Sequence, residues 1–507
     1  MLKKGILRSV GLLLIIIVLG LGITHTYSRL NESKIEFRAE DELSHYAIHN
    51  YKIDARFMEE EKLLEVKQQV KYKNTHNLEF ESIYFHLYPN AFKEKEKVPF
   101  LKEELEHAYP KGFQSGYIDI EEVLIEGKKA NFELGGLNNT IMSIKLSEVL
   151  KPNEEVLISF KYKVRIPPIS SRFGYGENTY NLGNWYPIAA VYDSKGWNLD
   201  PYYEIGDPFY SEVGNYEVTL RLPEEYELAT TGNILYRDKV QKEDVGYKEQ
   251  IWNVEAKAVR DFAWVISKNF ILKNDSINGI DINVYYFKNQ QGNKALEAAK
   301  DSIKIFSELF GEYPYGQFSV VSCDFFIGGM EYPNLVYIDH NIFSRDSTLI
   351  LEYIIVHETA HQWWYGIIGN DQVNEPWIDE ALTEYSTILY YREKYGEDTM
   401  MSMLKSMVVD DYVRTKEELE DKDESIAKGI DEFKDNREYS GIVYSKGAMM
   451  FYELEREVGR ENFIKILQYY MSENKFTNVT EKDIKNITKA VTGEDYQEFF
   501  DQWLRDG

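Results

Sequence analysis

Apolar and polar positions change period once along this chain. In the first half they alternate. His49–Phe57, Leu63–Tyr72, Ile118–Glu126, Val156–Tyr162 and Tyr216–Leu222 are rich in β-formers at period two, with turn residues such as Gly135-Gly136 and Pro152-Asn153 between them. This predicts a β-rich domain of sandwich or saddle form over residues 44–270. Within it, Tyr175–Trp197 is an aromatic, turn-rich insertion that either lines a cleft or packs on the domain. From about residue 271 helical periods dominate. Lys294–Phe310 is an amphipathic helix stopped by Gly311 and Pro314. Val320–Phe326 and Leu335–Asp339 read as strands flanking a Gly-Gly turn. Ser347–Tyr365 and Trp377–Tyr395 read as successive helices, and Gly447–Val458 and Arg460–Tyr470 as two more. Residues 410–438 hold 12 acids and 6 bases without apolar periodicity, the pattern of a solvated surface segment. The whole is multidomain: a β domain over 44–270 followed by an α+β domain over 271–507.

The first thirty residues stand apart. Lys3, Lys4 and Arg8 precede an uncharged apolar run from Val10 to Ile23, the pattern of a signal peptide or signal anchor over residues 1–30. No small-residue cleavage site follows clearly. The expectation is a cell-membrane protein with the remainder outside the cytoplasm, tethered by the N-terminal segment, or secreted if that segment is removed.

Composition narrows the chemistry. Of 507 residues, 43% are apolar and 28% charged, which excludes disorder and a small disulfide scaffold. The net charge of −27 repels phosphate backbones, so no nucleic-acid partner is expected. Cys323 is the single cysteine, so any metal must be held by His and carboxylate.

The run LEYIIVHETAHQWWYG contains His357-Glu358-x-x-His361. On a helix, residues four apart share a face, and both imidazoles can reach one ion. His45 and His49 are also four apart, but in a strand that separation is about 13 Å, so that pair reads as structural. Pro376 opens the next helix, where Asp379, Glu380 and Glu384 are candidate third ligands; eighteen residues separate His361 from Glu380. Glu384 would accept the outer N–H of a ligating His or stand exposed on its helix. Two imidazoles and one carboxylate leave Zn²⁺ a position for water, and Glu358 could take that water's proton.

In this arrangement the chain resembles the aminopeptidase N family of gluzincin zinc peptidases. The resemblance rests on H-E-x-x-H-x18-E within HETAHQWW, on GGMEYPN (Gly328–Asn334) upstream, and on YSKGA (Tyr444–Ala448) downstream. It implies a thermolysin-like α+β catalytic domain over 271–507 and one Zn²⁺ on His357, His361 and Glu380. It also implies Glu358 as general base and Tyr444 as oxyanion donor. Glu331 would bind the free α-ammonium of a peptide substrate. Gly328, Gly329 and Met330 would pair with its backbone, and Tyr439 could line the same cleft. Tyr332 stands where the family has Asn, and the family's F-P-x-x-D-E-P segment is not found. Asn181 and Asn184 are candidate substitutes for the amine-side residue that accompanies that segment. The chain stops after DQWLRDG, where longer members continue into a helical domain, so a more open cleft is expected. The function implied is a zinc-dependent aminopeptidase. The competing readings are a thermolysin-like endopeptidase and a non-catalytic extracellular binding protein on a peptidase fold.

Overall fold

The computed structural model describes residues 42–241, 248–344, 348–419 and 423–505. The leader expected over residues 1–30 lies outside them. Among the described residues no helix is long and apolar enough to cross a membrane.

The alternating segments of the first half form an eight-stranded sheet. Its order is Asn233–Gln241, Lys248–Val259, Gly214–Pro223, His49–Met58, Leu63–Lys73, Glu155–Arg165, Tyr117–Ile125 and Lys128–Lys129. All neighbours are antiparallel except His49–Met58 with Gly214–Pro223. The alternation does what its period demands. Tyr51, Ile53, Ala55 and Phe57 are buried on one face, and so are Leu64, Val66, Val70 and Tyr72 on the next strand. Gln68 falls in that apolar row, but its amide donates to the carbonyl of Pro187 (2.9 Å) and accepts from the Tyr162 hydroxyl (2.7 Å). Phe160 of this sheet meets Phe85 of a four-stranded sheet edge to face at 5.1 Å, closing a sandwich. His49 is 4% exposed and stacks on Tyr72 at 4.4 Å, a structural histidine.

The second half is built on a five-stranded mixed sheet in the order Ile271–Ile277, Ile280–Tyr286, Gln317–Cys323, Leu335–Asp339, Gly329–Met330. Helices α1 (Gly292–Phe310), α2 (Thr348–Ala360), α3 (Trp377–Tyr395) and α4 (Gly447–Val458) accompany it. Pro376 precedes α3, which opens where the sequence predicts, and Gly396 closes it.

Three expectations need correction. Helix α2 ends at Ala360 rather than Tyr365. Amides of Gly366, Ile367 and Ile368 turn back to the carbonyls of His361, Gln362 and Trp363, and Tyr365 has φ 139°, so the chain winds wider and leaves the helix. Residues 410–438 are not merely a solvated segment. Asp410–Glu418 is helical, and Asp411 and Asn436 line the central cavity. Beyond Tyr470 two further helices, Glu481–Thr492 and Gln497–Arg505, pack through short apolar stripes that the sequence reading passed over. The aromatic insertion takes its packing alternative, with Trp185 and Tyr186 fully buried.

Candidate metal centre and active site

Helix α2 carries His357 and Glu358 in its last turn, His361 follows directly after its end with its amide still bonded to the His357 carbonyl, and α3 carries Glu380 in its first turn. The His357 and His361 Nε2 atoms are 3.2 Å apart, and Glu380 Oε2 lies 3.4 Å from the first and 3.1 Å from the second. Tetrahedral zinc bonded at 2.0–2.1 Å needs ligand atoms about 3.3 Å apart, so these three donors have the edge lengths of one face of such a polyhedron. The outer ring nitrogens are fixed as well. His357 Nδ1 is 3.0 Å from Glu384 Oε2, and Glu384 accepts in turn from the Tyr353 hydroxyl. His361 Nδ1 is 3.0 Å from the Trp364 carbonyl. Of the two alternatives for Glu384, the structure therefore takes the histidine-orienting one. The electrostatics favour a cation here. Burial works against the charge of Glu380, yet the neighbouring rings of His361 and His357 hold its carboxyl below the ordinary range. Burial likewise opposes a charge on His357, but Glu380 and Glu384 lift its pKa to about 10.

Glu358 faces the same cavity, its carboxylate grouped with those of Glu331 and the His361 ring. Burial raises its pKa to about 7, poised to accept and return a proton near neutrality. Gly329 lies directly over it. A Cβ there would sit 2.0 Å from Glu358 Oε1, so glycine lets this edge strand pass without displacing the carboxylate. Gly328 has φ 111° and needs glycine for its conformation. Gly329-Met330 pairs on one side with Leu335–Asp339 and is the outer strand of its sheet. Tyr444 comes from a π-helical turn, Ser440–Lys446, and its hydroxyl donates to Glu380 Oε1 at 2.5 Å while its ring stacks on His357. Tyr439 packs edge-on against it and lines the cavity.

Glu331 is 3% exposed, and its Oε1 accepts from Gln372 Nε2 at 3.3 Å. Burial, and next the charge of Asp207, push its pKa well above the ordinary carboxylate range. Asp207 is the residue that sequence reasoning missed. It comes from the β-rich half, and its carboxylate oxygen lies within 4.8 Å of those of Glu331 and Glu380. Arg172 holds it, donating to Asp207 Oδ1 at 2.5 Å, to the Gly206 carbonyl at 3.2 Å and from Nε to Met330 Sδ at 3.1 Å. Asn181 and Asn184 do not line the cavity. Asn181 donates to the backbone carbonyls of Ser171 and Asp324, and Asn184 to Asp261. The Asp-Pro turn of GDPF gave no sign of chemistry; only the docking of the two halves reveals Asp207. The cavity measures about 560 Å³, room for a short peptide, and carries Phe100, Phe326 and Ile327 on its wall.

An H-E-x-x-H helix, a ligand-bearing second helix and an edge strand beside them define the catalytic half of a gluzincin-type peptidase fold. Residues 294–503 match the model of the peptidase family M1 domain. That stretch, which carries the whole metal centre, is thus similar to the peptidase family M1 domain. Aminopeptidase N of Lactococcus lactis subsp. lactis is 22% identical over 414 residues, covering 76% of this chain and 46% of the relative. Aminopeptidase 2 of Candida albicans is 22% identical over 315 residues, covering 59% and 33%. The chain thus spans under half the length of these relatives. An M1 zinc metallopeptidase from Deinococcus radiodurans, solved with a Tyr-Ser-Ala substrate, superposes with a TM-score of 0.63 at 14% identity over 90% of this chain and 94% of that one, a likeness of fold.

Proposed function

We propose that this protein is a zinc-dependent aminopeptidase that removes the first residue of peptides bearing a free N-terminus. One observation carries the reading: two buried carboxylates, Glu331 and Asp207, face the His357–His361–Glu380 cluster across one cavity. Carboxylates at that distance from a metal triad suit an ammonium, which fixes the substrate so that only its first peptide bond reaches the reacting centre.

His357, His361 and Glu380 would hold one zinc ion. When bound, the ion supplies Lewis-acid polarisation of the scissile carbonyl and acidifies water. The chain's own residues do the rest. Glu358 removes the proton of the attacking water and returns it to the departing amine nitrogen, for which a pKa of about 7 is matched to neutral pH. The Tyr444 hydroxyl turns from Glu380 Oε1 to donate to the carbonyl oxygen as it gains charge, worth about 3 kcal/mol of transition-state stabilisation. The open side of the Gly329-Met330 edge offers backbone groups to an extended peptide.

A panel of free and N-acetylated peptides, with and without chelator, tests this. Free peptides should be trimmed one residue at a time, blocked ones left intact, and chelator should stop the reaction. Internal cleavage of blocked peptides would instead establish an endopeptidase, and binding without cleavage a retired peptidase fold. The basic start and the apolar run Val10–Ile23 support a place outside the cytoplasmic membrane for the catalytic part, tethered through that segment. Digestion of intact cells by added protease should then remove the catalytic part.

A further inference from the structure

Tyr332 stands directly after Glu331 and is fully buried, its ring 5.0 Å from that of Tyr337. Its hydroxyl does not face the cavity. It crosses into the β-rich half and donates to Asn184 Oδ1 at 2.8 Å. Asn184, held at φ 50°, donates from Nδ2 to Asp261 Oδ2 at 2.7 Å. The other Asp261 oxygen accepts from the Tyr186 hydroxyl at 2.9 Å and from the Phe262 amide at 2.7 Å. The socket is cut to this side chain. A Cβ on Gly183 would lie 1.9 Å from the Tyr332 oxygen. The backbone at Glu331 is gripped from the opposite side too, because Gln362 Nε2 reaches the carbonyls of Glu331 and Tyr332 at 3.4 and 3.3 Å. Glu331 is therefore held between the segment that follows α2 and the β-rich half, the half that also supplies Asp207.

We propose that Tyr332, through Asn184 and Asp261, is a positioning residue that sets the separation of Glu331 from Asp207 and so the affinity for the substrate's ammonium. The proposal rests on the aminopeptidase reading above. A buried chain of donors and acceptors in which every member is satisfied holds one geometry firmly, and loss of one hydroxyl releases it. The ammonium site straddles the two halves, so a small shift at Tyr332 changes carboxylate spacing without touching the triad.

The test is Tyr332→Phe, which removes only the hydroxyl, with Asn184→Ala removing the acceptor from the other side should the first variant not fold. Steady-state kinetics on a free-amine tripeptide should show KM raised five- to twentyfold with kcat within about threefold of wild type. Zinc content should be unchanged, and inhibition by an amino alcohol (the reduced amino acid), which offers the amine without a scissile amide, should weaken by the same factor as KM. Loss of thermal stability with KM and amino-alcohol inhibition unmoved would make Tyr332 a structural residue only and overturn the proposal, as would a fall in kcat alone. Failure of the underlying reading looks different: the wild-type protein itself would then not discriminate free from N-acetylated peptide.

Discussion

At the scale of the residue, the proposed function assigns charge binding and proton transfer to different groups. Glu358→Gln keeps the shape of the side chain and one acceptor oxygen but replaces the other with an NH2 donor and cannot accept a proton. It should lower kcat by about 10²–10⁴ with zinc content unchanged, measured by turnover beside metal analysis. Glu331→Ala removes one of the two carboxylates proposed to hold the ammonium. The loss should fall on kcat/KM for free peptides by about tenfold to a hundredfold, and zinc stoichiometry should again hold. A glycine tests the same geometry from the side. With a Cβ 2.0 Å from Glu358 Oε1, Gly329→Ala forces the carboxylate off its position, so kcat should drop toward the level of the Glu358 variant although no catalytic atom has been deleted. Unaltered turnover in Gly329→Ala would mean that Glu358 has room to move and that its observed place is unimportant.

At the scale of the element, two helices set the metal triangle, and their separation depends on small residues. Gly447 at the start of α4 lies against α3, where a Cβ would come 2.4 Å from the Cβ of Ala381, the neighbour of Glu380. Gly447→Ala should push α4 from α3, lowering stability by about 1–3 kcal/mol through overpacking. It should also loosen zinc, read as a lower chelator concentration for half-inactivation. Tyr444 depends on its element in another way. The π-helical turn Ser440–Lys446 holds one residue more per turn than an α-helix. That extra residue helps set which way Tyr444 points, and no periodicity in SGIVYSK announces it. The H-E-x-x-H pair was legible because α-helical period is local and apolar context marks the helix. Pro376 marked where α3 begins and so brought forward Asp379, Glu380 and Glu384 together, while the family resemblance singled out Glu380. Sequence could not show that Glu384 faces His357 rather than solvent, since that choice is made by how α3 packs on α2.

At the scale of the whole molecule, what the pattern missed lies where distant segments meet. Strand alternation marked five of the eight strands of the large sheet to within three residues at each end, because one buried face fixes period and register together. Asp207 and Arg172 reach the site only because the β-rich half docks against the Glu331 segment, and neither sits in a local pattern that signals chemistry. The same docking buries Arg260, whose guanidinium donates to the Tyr365 and Thr477 carbonyls at 2.7 and 2.6 Å. Burial of this extent has a consequence for acid stability that His49 exposes. Burial, assisted by the charge of His76, lowers its pKa to about 3 from an ordinary 6.5. The neutral ring accepts the Lys73 amide at 3.4 Å, which a protonated ring cannot do. Above about pH 6.5 the ring is neutral in both folded and unfolded chains, and its contribution to stability is fully present. Below that pH the unfolded chain takes up a proton that the native ring refuses. Stability from this group therefore falls as pH drops, by about 1.4 kcal/mol per pH unit, until the folded pKa near 3 is passed. His49→Phe keeps the stacking on Tyr72 and abolishes the titration. Chemical unfolding followed between pH 6 and pH 4 should then show a slope about 1.4 kcal/mol per unit shallower in the variant than in the parent. Parallel slopes would mean that His49 is already protonated in the native strand and that the sheet tolerates its charge.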